Sequence, residues 1–291
     1  MNATTLMPAA FIGHGSPMNT LESNNRYTAA WQALGRALPR PRAVLAISAH
    51  WYINGSAVTA MRQPRVIHDF YGFPRALFEF DYPAPGSPEV AREVTELVRP
   101  GFVGLDEDSW GLDHGTWSVL AHVFPKADVP VVQLSINAGE GLRYHFELGK
   151  KLAALRARGV FILGSGNVVH NLRRIDWGRP EGAFDWGQRF DADVKRIMTT
   201  KPQEILAIET HADYAASVPT PEHFLPLPYL AGLCDASGQG AEVLVEGGTL
   251  GSITMTSYLL GCDGLRQDGH HPAPAASLPD PGSVPPEQTN T

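Results

Sequence analysis

Several histidines of this chain stand beside glycines or close behind short apolar runs, where an imidazole is available for chemistry. His14 lies in the segment FIGHGSPM between Gly13 and Gly15, and the missing side chains on both sides predict an open ring. A lone histidine in a loop is more often structural than functional. The function of His14 therefore depends on whether other histidines reach the same place.

Two further histidines share this placement. His14 follows the apolar run AAFIG, His50 follows AVLAISA, and His170 comes shortly after GVFILGS. Such runs predict buried strands, and the first two, joined by a helical pattern, form a βαβ unit. Its right-handed crossover makes the two strands parallel, adjacent or one apart, and ligands bind beyond the carboxyl ends of such strands. We therefore expect the three imidazoles to share a site.

Imidazole is the commonest metal ligand, and three imidazoles with an open coordination position suit zinc, iron(II) or copper. His114, in LDHGTW, and His223, in TPEHFLPLPYL, are further candidates whose positions the spacing does not fix. His68, in IHDFYGFP, is ambiguous. By contrast, His122 lies at helical spacing and is expected in the core, and His145 lies on a charged helix and is expected to be exposed. The residues alone predict a histidine-rich metal site.

The elements that must position these histidines alternate between strand and helix patterns. Buried-strand patterns cover 9–13, 43–49, 129–136 and 159–167. Helical patterns cover 25–38, 88–98, 144–158 and 185–199. The stretch 242–260 predicts a β-hairpin turned at Gly247–Gly248. The alternation is typical of a single α/β domain.

Two segments fall outside this alternation. Residues 64–88 form an aromatic, proline-rich excursion that is a candidate wall of a pocket, although a packed loop or an oligomer contact explains it equally well. Residues 268–291 are rich in proline and predict a disordered or surface-draped tail. We expect removal of this tail to leave folding and metal binding intact, so the folded domain is assigned to 1–267.

Composition excludes several classes of function. The chain has 291 residues, 43% of them hydrophobic, and a formal charge of -7, which argues against nucleic acid or an anionic membrane surface as the main partner. The N-terminus lacks the basic region of a signal peptide, and no apolar run approaches the ~18 residues that span a bilayer. The two cysteines fit a reducing cytoplasm and argue against a cysteine metal site. The sequence does not indicate an oligomeric state.

Seven segments in fixed order resemble a known family. They are GHGSPM, SAHW, HDFYGFP, YPAPGSPE, DHGTW, GSGNVVHNL and PTPEHFLPL, spread from about Ala9 to Gly261. Together they are similar to the class III (LigB-type) extradiol ring-cleavage dioxygenases, in the branch that resembles DOPA 4,5-dioxygenase. The resemblance implies that 1–267 is a catalytic domain with a central mixed, largely parallel β-sheet flanked by helices on both faces. It also implies a non-haem Fe(II) site in which zinc is sometimes found.

The resemblance further implies roles for individual histidines. His14, His50 and His223 match the metal ligands. His170 matches a histidine that is either a further ligand or the acid–base residue beside the metal, and His114 matches a pocket histidine that contacts substrate or bound oxygen. Better-known members of the class use two histidines and a carboxylate. A set of three histidines also suits zinc, which leaves the native metal open.

Three residues near these motifs are candidates for binding substrate, namely Trp51, His68 and Phe73. Arg75 is a weaker candidate partner for a substrate carboxylate, because arginines in loops are usually only solvated. The implied reaction inserts O₂ into a catechol-type, DOPA-like substrate and opens the ring beside the diol. The implied partners are a small aromatic diol and O₂.

Other functions remain open at this level. A zinc-dependent hydrolase would use the same histidine-rich site to activate water. A binding or scaffold protein is the non-enzymatic alternative, although all four candidate ligands are present. Dioxygenase activity would require Fe(II), because Zn²⁺ has no accessible redox change. The identity of the bound metal and the consumption of O₂ distinguish a dioxygenase from these two alternatives.

Overall fold

The computed structural model describes residues 6–262 together with Ala275 and Ala276. Its strands are β1 (Ala9–Gly13), β2 (Ala43–Ile53), β3 (Ala57–Thr59), β4 (Gly104–Asp106), β5 (Val131–Asn137), β6 (Val160–Gly166), β7 (Glu242–Val245), β8 (Gly248–Thr249), β9 (Ile253–Thr254) and β10 (Ser257–Leu260). Its α-helices are α1 (Arg26–Ala37), α2 (Arg75–Phe78), α3 (Pro88–Leu97), α4 (His114–Val123), α5 (Leu142–Leu152), α6 (Ala154–Ala157), α7 (Asp185–Thr200), α8 (Tyr214–Ser217) and α9 (Pro226–Ser237). Shorter 3₁₀ helices cover Pro17–Thr20, Leu172–Arg174 and Pro202–Thr210. The predicted tail, 268–291, lies outside the described residues except for the two alanines.

The main sheet is mixed and largely parallel, as predicted. Within residues 6–262 it has eight strands in the order β4-β3-β5-β2-β6-β1-β10-β7. The central strands β5, β2, β6 and β1 run parallel to one another. The strand β10 runs antiparallel to β1 and β7, and β3 runs antiparallel to β5. The strand that ends before His14 and the strand that contains His50 therefore lie one apart, with β6 between them.

Helices cover both faces of this sheet, which is why its central strands are apolar throughout. In β1, Ala9 and Phe11 pack into a hydrophobic layer with α3, α5, α7 and α9, whereas Ala10 and Ile12 pack into a second layer with α1 and α4. Successive side chains of a strand point to opposite faces. Every residue of β1 and β6 is buried, as expected for parallel strands that are covered on both sides.

A side-chain cap fixes the start of the helix that carries His114. Asp113 precedes α4, and its Oδ1 accepts a hydrogen bond from the N–H of Thr116 at 3.2 Å. Such a cap satisfies one of the unpaired N–H groups in a first helical turn. The cap therefore holds His114 at the first position of α4.

The hairpin predicted over 242–260 is wrong at its turn. The strands β7 and β10 do pair antiparallel, but the two-stranded sheet β8–β9 is inserted between them. The N–H of Met255 donates to the carbonyl of Gly247 at 2.8 Å, so the chain loops out after Gly247 and returns at Met255. This excursion carries Leu250 and Ile253, which line the cavity described below.

None of the described helices is both long and apolar enough to cross a membrane.

Candidate metal centre

The ends of the central strands bring His14 and His50 together. His14 follows β1 directly, and its N–H donates to the carbonyl of Gly166 at the end of β6, at 3.1 Å. His50 lies inside β2, which continues to Ile53 instead of ending before the histidine. The Nε2 atoms of the two rings lie 3.2 Å apart.

His223 reaches the same point from the loop before α9. Its carbonyl accepts a hydrogen bond from the N–H of Asn167 at 2.8 Å, and a Cβ on Gly166 would collide with that carbonyl oxygen. The loop therefore lies directly on the end of β6. The three histidines His14, His50 and His223 each offer one ring nitrogen, and these nitrogens lie within 4.8 Å of one another.

The outer ring nitrogen of His14 is held by a serine. His14 Nδ1 lies 3.0 Å from Ser165 Oγ, and that hydroxyl donates its own proton to the carbonyl of Gly115 at 2.6 Å. Because the hydroxyl proton is committed, Ser165 Oγ accepts from His14 Nδ1–H. This tautomer leaves the lone pair of His14 on Nε2, which faces His50.

The outer nitrogens of the other two rings face carboxylates. His50 Nδ1 lies 3.1 Å from Asp69 Oδ2, and His223 Nδ1 lies 3.2 Å from Glu222 Oε1. An ionised carboxylate only accepts hydrogen bonds, so both Nδ1 atoms carry a proton, and in the neutral form of each ring Nε2 keeps its lone pair. A carboxylate behind a histidine is the usual partner of a metal-ligating imidazole.

This donor set fits a divalent metal ion. Burial, followed by the charge of His50, holds the pKa of His14 well below its ordinary value, and burial with the charge of His170 does the same for His223. Neutral imidazoles are the form that binds metal. Two lone pairs that face each other repel unless a cation lies between them. Two nitrogens bound to one tetrahedral ion, each with a metal–nitrogen distance of ~2.0–2.1 Å, lie roughly 3.3 Å apart.

Asp69 contacts two histidines at once. Its Oδ2 faces His50, while its Oδ1 lies 3.0 Å from His114 Nδ1 and accepts the backbone N–H of His114 at 3.0 Å. Although burial opposes ionisation, these contacts with His114 and His50 hold the pKa of Asp69 well below its usual value. Burial lowers the pKa of His50, but the contact with Asp69 and the charge of Asp113 outweigh it and raise the pKa. Burial and the charge of His50 lower the pKa of His114.

His170 lies against the ring of His223 and outside the trio. The two rings are stacked, with centroids 3.5 Å apart and planes 8° from parallel. Burial lowers the pKa of His170 to about 4, so the imidazole is neutral at pH 7. His170 shares a second group of metal-binding type with Glu222 and His223, and it does not belong to the group formed by His14, His50 and His223.

A cavity of about 310 Å³ opens onto these groups. Five imidazoles line it, those of His14, His50, His114, His170 and His223. The other lining residues that the structure describes are Gly15, Ser16, Pro17, Phe70, Phe73, Leu172, Ile175, Trp177, Thr249, Leu250, Ile253, Ala275 and Ala276. Apart from the imidazoles, this lining is mainly apolar.

Of the three predicted substrate contacts, the structure brings one to the cavity. Phe73 lines it and packs edge-on against Phe70, with centroids 5.2 Å apart. Trp51 does not line it within the described part of the chain, because successive residues of β2 point to opposite faces, and its ring stacks instead on Trp110. Arg75 begins α2 and is likewise outside this lining.

His68 lies one layer behind the cavity wall. Its Nε2 donates to the carbonyl of Phe80 at 2.9 Å, and its ring packs against Trp117 and the edge of Phe70. Phe70 therefore faces the cavity where His68 was predicted to do so. Neither His68 nor Trp51 is among the cavity-lining residues that the structure describes, so a contact of either with substrate stays a prediction.

The prediction that Gly13 and Gly15 leave the ring of His14 open is wrong. His14 is only 2% exposed, so its ring is not open. A Cβ on Gly13 would lie 2.7 Å from the backbone carbonyl carbon of Met255, and Gly15 has a φ of 58°. Both positions therefore need glycine for backbone reasons, one for close packing and one for a left-handed conformation.

Sequence reasoning missed the outer partners of the ligands. Asp69 was visible only as one carboxylate in an aromatic segment, and Ser165 only as a small residue at a strand end. Leu250 and Ile253 were assigned to a plain hairpin. The signal for Asp69 was its position directly after a motif histidine, His68.

Comparisons with known proteins agree on one family. Residues 8–261 match the family described as the catalytic LigB subunit of aromatic ring-opening dioxygenase. A protein of Escherichia coli strain K12 named 4,5-DOPA dioxygenase extradiol is 48% identical over 263 residues, which is 89% of this chain and 96% of that protein. A Beta vulgaris protein of the same name is 34% identical over 258 residues, which is 85% of this chain and 94% of that protein.

A solved structure shares this fold. The crystal structure of an uncharacterized protein from Escherichia coli K12 superposes with a TM-score of 0.77 at 43% sequence identity. The superposition covers 87% of this chain and 99% of that one. The α/β architecture built around the central parallel strands is therefore found in a close relative.

Proposed function

Because this chain belongs to the family of the catalytic LigB subunit of aromatic ring-opening dioxygenases, we propose that it cleaves catechol-type rings in the extradiol manner, beside the two hydroxyls. The observation that carries the proposal is the convergence of His14, His50 and His223 in the wall of a mainly apolar cavity. The name of the Escherichia coli relative makes DOPA the reference substrate. The reaction partners are the aromatic diol and O₂.

The metal that we propose for activity is Fe(II), held by His14, His50 and His223. Three imidazole ligands suit Fe(II) and Zn²⁺ alike, so the donor set alone leaves both possible. When bound, Fe(II) supplies a path for electrons from the diol to O₂, which Zn²⁺ cannot provide because it has no accessible redox change.

His170 is the proposed acid–base residue. A diol must lose protons before its ring becomes electron-rich enough to react, so a neutral base near the diol is required. His170 lines the cavity and is neutral at pH 7, because burial lowers its pKa to about 4. Its ring stacks face to face on that of His223, a proposed ligand.

His114 is the proposed orienting residue. Its Nδ1 faces Asp69, which leaves Nε2 as the nitrogen available to the cavity. A neutral imidazole in that orientation accepts a hydrogen bond at Nε2, as from a hydroxyl of the diol. Phe70 packs edge-on against His114, and Phe73 packs edge-on against Phe70, so both would exclude water from the substrate ring.

The test is O₂ uptake by protein reconstituted anaerobically with Fe(II), supplied with L-DOPA and a small panel of catechols. We expect uptake to accompany a yellow ring-opened product. The zinc form should be inactive, and His14→Ala should lose both metal and activity. His211→Ala is the matched control, because His211 pairs with Asp193 away from the cavity and should behave as the wild type.

Absence of uptake with every diol, at verified Fe(II) occupancy, would overturn the dioxygenase proposal. Ester or amide hydrolysis by the zinc form would then favour the hydrolase alternative, in which three histidines and an open position activate water. Activity retained by His14→Ala would instead show that the proposed ligands are not the metal site.

A further inference from the structure

The small sheet β8–β9 has a different cavity on each of its faces. Its residues pair as Thr249 with Ile253 and as Gly248 with Thr254. The first pair lines the cavity that holds the imidazoles, whereas the second pair lines a separate cavity of about 600 Å³. Because successive residues of a strand point to opposite faces, the β8–β9 sheet is a wall that the two cavities share.

The second cavity is rich in charge. Five ionisable side chains line it, those of Arg26, Glu181, Asp191, Lys195 and Glu246. Two of these balance each other, because Lys195 Nζ lies 2.6 Å from Glu246 Oε2. The other three form no ion pair within the part of the chain that the structure describes. One basic and two acidic side chains of the cavity therefore lack a charged partner among those residues.

Two of these side chains also bury a polar atom that has no hydrogen-bond partner among the described residues. One is Asp191 Oδ1, although the Oδ2 atom accepts from Thr256 Oγ1 at 2.7 Å. The other is Arg26 Nε, although a terminal nitrogen of the guanidinium donates to the hydroxyl of Tyr27 at 2.6 Å. A buried polar group without a partner costs free energy, so a ligand that bonds to both groups would be stabilised.

The side chain of Tyr27 shows that the charged groups act on one place. The guanidinium of Arg26 lies 4.8 Å from the centroid of the Tyr27 ring. Burial raises the pKa of Tyr27, and the charge of Arg26 opposes this rise. The charges of Glu181 and Asp191 raise the same pKa further. The basic side chain and both acidic side chains therefore influence a single hydroxyl at the edge of the cavity.

We propose that this cavity is a second binding site, for an α-amino acid with a cationic side chain, of the class of L-lysine. Such a ligand carries two ammonium groups for the carboxylates of Glu181 and Asp191, and one carboxylate for the guanidinium of Arg26. Hydrogen bonds in which both groups are charged are stronger than neutral ones. The site is separate from the proposed metal centre and goes beyond the ring-opening function.

The shared wall connects this site to the proposed metal centre. The N–H of Thr254, a residue of the second cavity, donates to the carbonyl of Val169 at 3.0 Å. The neighbouring residues His170 and Ile253, which both line the first cavity, form an isolated β-bridge. A ligand that orders this wall changes the affinity for a diol, and the diol then changes the affinity for the ligand by the same factor.

Calorimetry with the zinc form of the protein tests the site with four probes: L-lysine, L-norleucine, cadaverine and L-glutamate. L-norleucine lacks the side-chain ammonium of L-lysine, and cadaverine lacks its carboxylate. We expect L-lysine to bind at least about tenfold more tightly than either, because each lacks one charge-assisted contact, and L-glutamate not to bind. Equal affinities for L-lysine and L-norleucine would overturn the proposal, since an amino acid that merely chelates the metal ion would give this result.

Two variants test the assigned residues. Asp191→Asn and Arg26→Gln should each lower the affinity for L-lysine at least about tenfold. Asp193→Asn is the matched control, because Asp193 lies on the same helix as Asp191 but pairs with Arg196 and His211 outside the cavity. Thermal unfolding verifies that each variant is folded. Wild-type affinity in Asp191→Asn would refute the site.

The coupling between the two cavities is measured on the zinc form as well. The affinity for catechol, measured anaerobically with and without saturating L-lysine, should differ about fivefold or more, and catechol should change the affinity for L-lysine by the same factor. Binding of L-lysine without this change would overturn the coupling and support the site alone. Absence of O₂ uptake by the Fe(II) form would instead overturn the ring-opening function and leave the second site standing.

Discussion

The carboxylate of Asp69 contacts two histidines to which different roles are assigned. One oxygen faces His50, a proposed ligand, and the other faces His114, a proposed orienting residue. Both contacts require an acceptor, because each imidazole must present Nδ1–H to keep its Nε2 lone pair toward the cavity. The amide of asparagine can accept at one atom only and would donate at the other, so one imidazole would be turned to the wrong tautomer.

We therefore predict that Asp69→Asn lowers metal affinity or kcat/KM by about 10–100-fold, the usual effect of losing an outer partner of a ligand. Metal content after dialysis against a graded chelator, together with O₂ uptake at saturating Fe(II), measures the two effects separately. Asp128→Asn is the control, because the partner of Asp128 in the described part of the chain is Arg40, at the surface. Wild-type affinity and wild-type kcat/KM in Asp69→Asn would exclude a positioning role for the carboxylate.

Asp191 is a second carboxylate whose environment sets its charge. It lies on α7, its Oδ2 accepts from Thr256 Oγ1 at 2.7 Å, and its buried Oδ1 has no partner among the described residues. Burial raises its pKa from 3.8 to about 6, against the opposing hydrogen bonds from Thr256 and Thr254. The folded state therefore holds this proton more tightly than the unfolded state, so the stability contributed by Asp191 falls as pH rises from about 4 to 6 and stays low above that.

Asp191→Asn should remove this cost. We expect a gain in the free energy of unfolding on the order of 1–3 kcal/mol at pH 7.5, and little or no gain near pH 4, where the aspartic acid is protonated in both states. Urea unfolding of both proteins at the two pH values measures the difference. Asp193→Asn, on the exposed side of the same helix, should show no such pH-dependent gain. A loss of stability at pH 7.5 in Asp191→Asn would contradict the prediction.

At the scale of elements, the first turn of α4 lies directly on β2 at the metal centre. A Cβ on Gly115 would collide with Ser48 Oγ and lie 2.8 Å from His50 Cδ2, the carbon beside the proposed ligand atom. Alanine at this position would push the ring of His50 or the helix away. Alanine otherwise favours a helix over glycine by up to about 1 kcal/mol, so the local helix is not weakened by the change.

We predict that Gly115→Ala lowers metal affinity at least about tenfold, as for a displaced ligand, with a much smaller effect on the midpoint of thermal unfolding of the metal-free protein. Chelator competition and thermal unfolding without metal check the two parts. Gly141→Ala is the matched control, because a Cβ there meets nothing within 4 Å. Equal affinities in the two variants would show that the contact between α4 and His50 can relax at no cost.

Elements whose position depends on periodicity were predictable, and those that depend on long-range contacts were not. Buried apolar runs predicted the central strands. Ligands bind beyond the carboxyl ends of parallel strands, and this rule predicted that His14 and His50 lie together. Their strands are indeed one apart, with β6 between them. The position of His223 depends on its contact with Asn167 and Gly166, which no local pattern encodes.

The amphipathic pattern of α5 was also an incomplete guide. It predicted that His145 is exposed, and this is wrong: His145 is fully buried, and its Nδ1 lies 3.1 Å from the hydroxyl of Tyr229. The helix α9 packs so closely on α5 that a Cβ on Gly149 would collide with the carbonyl of Tyr229. The charged residues of α5 therefore suggested an exposed helix, although the face that carries His145 is buried against α9.

At the scale of the whole molecule, residues distant in sequence, Asn19 and Ala276, meet beside the candidate metal centre. Asn19 Nδ2 donates to the carbonyl of His14 at 3.0 Å, while Asn19 Oδ1 accepts from Asn25 Nδ2 at 2.9 Å and from the N–H of Ala276 at 3.1 Å. Ala275 and Ala276 are buried and line the cavity. Two residues of the predicted tail thus contribute to the wall of the site.

This contact separates the role of the tail in folding from its role in substrate binding. Among the contacts that the structure describes, deletion of 268–291 removes the hydrogen bond from the N–H of Ala276 to Asn19 Oδ1, which keeps its bond from Asn25. We expect a stability loss of only about 1 kcal/mol and unchanged metal content, as the sequence predicts for a dispensable tail. The cavity also loses the apolar surface of Ala275 and Ala276, so KM for an alkylcatechol should rise severalfold, with a smaller change in kcat.

Deletion of 277–291 provides the matched control for this prediction, because it retains both alanines and the N–H that donates to Asn19. Steady-state O₂ uptake with 4-propylcatechol should give the wild-type KM for this shorter deletion and the raised KM only for the longer one. The same KM in both deletions would mean that the alanine pair does not form part of the binding wall. Loss of folding or of metal in the longer deletion would mean instead that the tail belongs to the domain, because the single hydrogen bond to Asn19 cannot by itself account for such a loss.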